Sequence, residues 1–211
     1  MIDVIQYIAN IENEPDLGIS EKTDINKKSP IQIPNMNRQH LCRLFYKLGF
    51  KIGAEIGIER GLYSEQLCNA NPDLKLYCID AWAAYKGYRE HVSQDKLDGF
   101  LEETKKRLSP YDCKIIKAFS MDAVKVFEDE SLDFVYIDGN HEFQQTTNDI
   151  AEWSKKVRKG GIISGHDYSR IKGGDYVCHV RDVVGAWAYA HQINPWFVMR
   201  GDRSPSWFWI K

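Results

Sequence analysis

Apolar residues recur along the chain in two alternating rhythms, and that alternation predicts the architecture. Leu41, Leu44, Phe45 and Leu48 fall at helical spacing and predict a helix that ends at Gly49. The run 51–57 (KIGAEIG) predicts a strand, 62–70 a helix, and 74–80 (LKLYCID) a buried strand. Beyond an aromatic loop over 81–91, Leu97, Leu101 and Leu108 share one face of a helix predicted over 94–108. Strands follow at 113–119 and 132–138, and the second of these (LDFVYID) is apolar enough to be covered on both faces. Phe143, Ile150, Trp153 and Val157 trace the next helix, and 160–167 (GGIISGHD) predicts a fifth strand. Past Gly173 and Gly174 a helix is predicted over 177–191, and two aromatic strands, 196–200 and 206–210, form a hairpin. Strands alternating with helices predict an α/β fold. It is a doubly wound, mostly parallel, Rossmann-like sheet of seven strands, with helices on both faces and an antiparallel C-terminal hairpin.

The first 35 residues stand apart from this rhythm. Val4, Ile5, Ile8 and Ile11 suit a short amphipathic helix, whereas 12–34 is polar, carries Pro15, Pro30 and Pro34, and holds no sustained period. Residues 1–35 are therefore expected to be an arm or a lid, and 36–211 the folded domain.

Composition narrows the classes of function. With 28 basic and 30 acidic residues the net charge is −2, so no basic excess draws the chain to nucleic acid or anionic lipid. The densest basic cluster (Lys155, Lys156, Arg158, Lys159) sits at a predicted helix end, where cations complement the helix dipole. Five cysteines without a CxxC spacing argue against a disulfide framework and for a reducing, cytoplasmic setting. Neither a leader-like N-terminus nor an apolar run of membrane-spanning length is read. A small-molecule acceptor is the expected partner, and a homo-oligomer is left open.

Chemistry-bearing residues gather at predicted strand ends, where ligands sit in a doubly wound sheet. The first strand runs into Glu55-Ile56-Gly57-Ile58-Glu59-Arg60-Gly61, and the second ends at Asp80. Gly57 permits a sharp turn and close approach to a ligand, Gly61 a tight entry into the helix, and Asp80 suits a pair of ribose hydroxyls. A dinucleotide site favours GxGxxG facing a pyrophosphate. Here the spacing is GxxxG, and the carboxylates of Glu55 and Glu59 would repel a phosphate while welcoming a sulfonium or ammonium group. These residues favour S-adenosylmethionine over a nicotinamide dinucleotide.

The segments AEIGIERGLYSEQL, YCIDAW and LDFVYIDGNHEFQQTTNDIAEWSKKVRKGGIISGHDY resemble class I S-adenosylmethionine-dependent methyltransferases. Within that class they resemble methyltransferase family 24, related to macrocin-type sugar O-methyltransferases, over roughly Met36 to Trp187. The resemblance implies that the Gly57 loop borders the methionine part of the cofactor and that Asp80, with Ala81 beside it, holds the ribose. It further implies that Ser120, Met121 and Asp122 border the adenine. Ser120 alternatively serves only to cap the helix after it.

The acceptor end is expected where Asp138-Gly139-Asn140-His141 and Gly165-His166-Asp167 close two adjacent strands. Methyl transfer to oxygen needs an aligned hydroxyl and a proton acceptor, and His141 or His166 fits that role beside Asp138. Related metal-dependent O-methyltransferases look similar in placing one aspartate after the fourth strand and an acidic pair after the fifth. That pattern implies a divalent metal (Mg, Mn or another) on Asp138, His166 and Asp167, with His166 standing where an acid is usual. Three readings stay open: a metal, a free general base, and polar residues that only cap the strand ends and bind one another. His40, His179 and His191 are expected at the surface, as is His91. Trp82, Tyr85, Tyr88 and His91 form either an aromatic wall for the acceptor or a packed loop. The expected activity is methyl transfer to a hydroxyl of a sugar or secondary metabolite. The alternatives are a silent cofactor-binding module and a hydroxylase-like activity on the same scaffold.

Overall fold

The computed structural model describes residues 27–34, 36–85, 92–171, 173 and 177–211. Within them eight strands form one sheet: β1 (Ile31–Ile33), β2 (Ile52–Ile56), β3 (Lys75–Asp80), β4 (Cys113–Lys117), β5 (Leu132–Ile137), β6 (Val157–Gly165), β7 (Trp196–Met199) and β8 (Ser206–Ile210). They lie in the order β1-β7-β8-β6-β5-β2-β3-β4, and β8 alone of these runs against the rest. The helices are α1 (Arg38–Lys47), α2 (Leu62–Ala70), α3 (Gln94–Leu108), α4 (Ser120–Ala123), α5 (Phe143–Lys156) and α6 (Val180–Ala190). Among the described residues no helix is long and apolar enough to cross a membrane.

Strand periodicity divides the core. Along β5, Phe134 and Tyr136 point into one helix layer with Leu44, Phe45, Leu67 and Leu97. Val135 and Ile137 point into the other, with Ile150, Trp153, Val183 and Val184. Each such side chain contributes about 1.5–3 kcal/mol by leaving water, so a strand covered on both sides is a strong organiser of the sheet. The ring of Phe134 lies directly over Gly53 of β2, where an added Cβ would fall 2.2 Å from the ring. Glycine is the residue that permits this stacking.

Local signals set the helix ends. Asn37 caps α1 by accepting from the Gln39 and His40 backbone, and the His40 ring accepts from the Asn37 N–H in return. His40, expected at the surface, is thus part of a cap and only partly exposed. α1 stops at Leu48, and Gly49 follows in the left-handed region (φ +70°). Bounds predicted for α2, α3 and β8 coincide with those observed. β6 begins earlier than expected, at Val157, so Arg158 and Lys159 fall on a strand rather than on a helix end. Arg158 pairs there with Asp133 at 2.6 Å.

The eighth strand, β1, lies where a structureless arm was expected. Ile31 and Ile33 are buried with Gln32 between them exposed, and the three residues pair with Phe197, Val198 and Met199 of β7. Three residues between Pro30 and Pro34 are too few to show a period, so only the presence of β7 reveals the strand. The predicted hairpin is therefore interior to the sheet, with β1 on its outer side. Residues 1–26, including the helix expected at the start of the chain, lie outside the described residues, as do Tyr88, His91 and Gly174.

Candidate functional site

Parallel strands bring the C-terminal ends of β2, β3, β4 and β5 to one edge, and a cavity of about 350 Å³ opens there. Ile56, Ile79 and Ala118 give it an apolar wall, and Gly57, Asp80, Ala81, Ser120, Met121, Asn140 and Asp149 also line it. Gly57 adopts φ +87°, and a Cβ there would fall 2.1 Å from the Asp138 carbonyl oxygen. The turn after β2 thus rests against the end of β5, leaving the backbone bare toward the cavity.

Asp80 is fixed by two backbone donors. Its carboxylate accepts from the Glu59 N–H at 2.9 Å and the Trp82 N–H at 2.8 Å, one on each oxygen. Each oxygen keeps a lone pair for a further donor, so a pair of adjacent hydroxyls suits it. Trp82 is fully buried and donates its indole N–H to the Glu59 carbonyl at 2.7 Å. It is a packed residue and not part of a substrate wall. Tyr85 does line the cavity, accepting from the Asn140 side chain at 2.9 Å with its ring edge-on to Phe119.

On the far wall Ser120 donates to the buried carboxyl of Asp149 and accepts from the Trp153 indole at 2.8 Å. Burial pushes Asp149 up to about 7, against the opposing pull of the Ser120 hydrogen bond. Nothing in the sequence singles out Asp149, because one acid within an amphipathic helix looks like a solvated residue. Asp122, expected beside the adenine, is instead exposed and paired with Lys125 at 2.7 Å.

A second cluster stands where β5 and β6 end. His141 Nε2 lies 3.5 Å from Asp138 Oδ1 and 3.2 Å from Asp167 Oδ2. His166 Nδ1 lies 3.7 Å from Asp138 Oδ2 and 3.4 Å from Asp167 Oδ2. Burial disfavours a charge on His166, but its hydrogen bond to Asp167 and the neighbouring carboxylates outweigh that and raise it. Burial would likewise raise Asp167, yet His166, His141 and Ser204 hold it well below the usual carboxylate range. His179, expected at the surface, braces this cluster: its N–H bonds the His141 carbonyl at 2.8 Å and its ring accepts from the Phe143 N–H at 3.2 Å.

Sequence-predicted residues thus divide by place. Gly57, Asp80, Ala81, Ser120 and Met121 meet in the cavity, and Asp138, His141, His166 and Asp167 meet beside it. Gly61 starts α2, packed near Thr104 and Leu108, and is not among the lining residues. Glu55 is 2% exposed and turned into the helix layer, where Ser64 donates to it at 2.6 Å. Burial raises it to about 8, so it carries little negative charge at neutral pH. Glu55 therefore does not supply the negative charge expected of it beside the Gly57 turn. For a cation, the ligand atoms of Asp138, His141 and Asp167 all lie within 4.8 Å of one another. His141 is in that set where His166 was expected.

A family model described as a methyltransferase domain matches residues 54–168, more than half of the 211 residues. No curated protein sequence matches significantly. Solved structures of similar fold include the O-methyltransferase TomG from Streptomyces achromogenes, involved in tomaymycin synthesis, in complex with SAM. Its TM-score is 0.60 at 16% identity, covering 100% of this chain and 91% of that one. An O-methyltransferase from Bacillus cereus in complex with SAH gives 0.59 at 13% identity, covering 100% and 92%. An O-methyltransferase family protein from Burkholderia thailandensis gives 0.61 at 12% identity, covering 82% and 55%. At such identities the likeness is one of fold.

Proposed function

The chain belongs to the methyltransferase domain family whose model matches it, and from that premise we propose that it moves a methyl group from S-adenosylmethionine to a hydroxyl of a small acceptor, a sugar or a secondary metabolite. The observation that carries this reading is the adjacency of two sites. Asp80, with a free lone pair on each oxygen, faces a cavity whose Gly57 turn abuts Asp138, the first member of the polar cluster. A nucleoside held at Asp80 then has its sulfur delivered beside Asp138. The SAM and SAH in the two neighbours' crystals support the same cofactor here. The five reduced cysteines agree with a cytoplasmic setting.

In the proposed reaction the acceptor oxygen attacks the sulfonium methyl in line. The carbon–sulfur bond breaks with its electrons on sulfur, and the hydroxyl proton passes to His141. His141 follows directly on Asn140, a residue of the cavity wall, whereas His166 follows β6, one strand further away. The carboxylates of Asp138 and Asp167 then stabilise the imidazolium. The mixed oxygen and nitrogen donors of Asp138, His141 and Asp167 also fit a divalent cation of manganese, iron or zinc type. Such an ion, when bound, would lower the pKa of the acceptor hydroxyl and orient it.

Calorimetry with S-adenosylhomocysteine tests the cofactor, and methyl release to a panel of small hydroxylated acceptors tests the reaction. Binding with turnover is expected. Binding of a nicotinamide dinucleotide with none of the nucleoside overturns the reading, and tight binding without turnover on any acceptor marks a silent module.

A further inference from the structure

The polar cluster borders a cation whose N–H donors neither the fold nor the proposed chemistry uses. Arg38 opens α1, and its backbone is pinned at both ends. The N–H donates to Asp202 at 3.0 Å, and the carbonyl accepts from the Tyr63 hydroxyl at 2.9 Å. Its guanidinium lies over the Tyr63 ring, 5.2 Å from the centroid. The side chain is only about one-third exposed (33%). Yet among the described residues no acceptor meets its five N–H groups, and the nearest carboxylate oxygen, Asp138 Oδ2, stands 4.0 Å away. A guanidinium oriented by stacking, with its donors unspent, is a receptor for an anion.

The position says which anion. Tyr63 lies in the first turn of α2, just beyond the turn from Gly57 to Gly61, and α2 begins without a side-chain cap, so its first N–H groups are also available. Arg38 faces Oδ2 of Asp138, while His141 faces Oδ1 of the same carboxylate. In an in-line transfer the acceptor and its base approach the methyl from one side, and the other two substituents of sulfur lie on the opposite side. One substituent leads to the ribose at Asp80. The other, the amino-acid chain, passes the Gly57 turn toward the start of α2. We propose that Arg38 binds the α-carboxylate of the amino-acid part of S-adenosylmethionine and so fixes the sulfur against Asp138. This rests on the cofactor assignment above and adds a residue to it that the cavity itself does not contain.

The test pairs two ligands with two proteins in calorimetry. S-adenosylhomocysteine and its decarboxylated analogue are titrated into the wild type and into Arg38→Gln, with Arg38→Met as a second neutral replacement should glutamine impair folding. Charge-assisted contacts of this kind correspond to roughly 10- to 100-fold in affinity. The wild type should prefer the carboxylate-bearing ligand by about that factor, and the Arg38 variants should lose the preference while binding the analogue as the wild type does. A wild type that binds both ligands equally, or a folded variant that keeps the full preference, overturns the proposal. Failure of the wild type to bind either ligand instead overturns the cofactor assignment.

Discussion

Asp149 is an acid in a place that discourages its charge. It is 4% exposed, bonded to Ser120, and raised by burial from an ordinary 3.8 to about 7. The folded state holds this proton more tightly than the unfolded chain does. The associated stability is therefore fully present below about pH 4 and is lost as pH rises through 7, by up to about 1.4 kcal/mol for each pH unit in that window. Urea unfolding of Asp149→Asn should show a smaller decline of stability between about pH 4.5 and pH 7.5 than the wild type. Parallel curves for the two proteins would remove Asp149 as the source. Asp80 acts through its hydrogen bonds, accepting from two backbone donors. Asp80→Ala should weaken S-adenosylhomocysteine binding by about 1–3 kcal/mol, the cost of unpaired ribose hydroxyls, and an unchanged dissociation constant would exclude it from the site. Asp80 is legible because it ends a strand of clear pattern. Asp149 is not, since helical spacing alone does not distinguish an acid facing water from one facing a cavity. Glu55 misleads for a related reason: alternation says that it and Ile56 face opposite sides, but not which side holds the ligand.

Among strands and helices, the boundaries that follow from the pattern are those carried by many buried residues or by a strong cap. Ser93 before α3 and the apolar face of Leu97, Leu101 and Leu108 are examples. β1 has neither. Its two isoleucines are buried only in the assembled sheet, where β1 pairs with β7. Ile33→Ala should nevertheless cost about 2–4 kcal/mol of unfolding free energy, as for other core truncations. A loss under about 0.5 kcal/mol in chemical denaturation would mean that β1 adds little to the sheet. The loop after β5 shows the same dependence on neighbours. His141 is held by His179 from the start of α6, across a long stretch of chain. His141→Asn should lower kcat by roughly 10²- to 10⁴-fold with the affinity for S-adenosylhomocysteine retained, and an unaffected kcat would take the proton elsewhere.

One edge of one sheet carries both sites, and the two respond to different perturbations. Removal of divalent cations by a chelator should leave nucleoside binding intact, since none of Asp138, His141, His166 and Asp167 lines the cavity that holds Asp80. If a cation supplies the activation of the acceptor, turnover falls with chelation and returns on adding manganese or zinc. Full turnover in excess chelator assigns the proton transfer to His141 without a metal. Local pattern was enough for the succession of strands and helices from α1 to β8, because periodicity and capping act over a few residues and each buried face needs its own apolar side chains. It was also enough to show which acids and histidines end the strands, and hence the chemistry available at the sheet's edge. Which of those groups meet was left to packing. Helices laid on the sheet turned Glu55 inward, brought Asp149 into the cavity, set β1 on β7, and put Arg38 over Tyr63. Each of those contacts joins one element to another, and their meeting in space is a property of the assembled core that no single element's own pattern encodes.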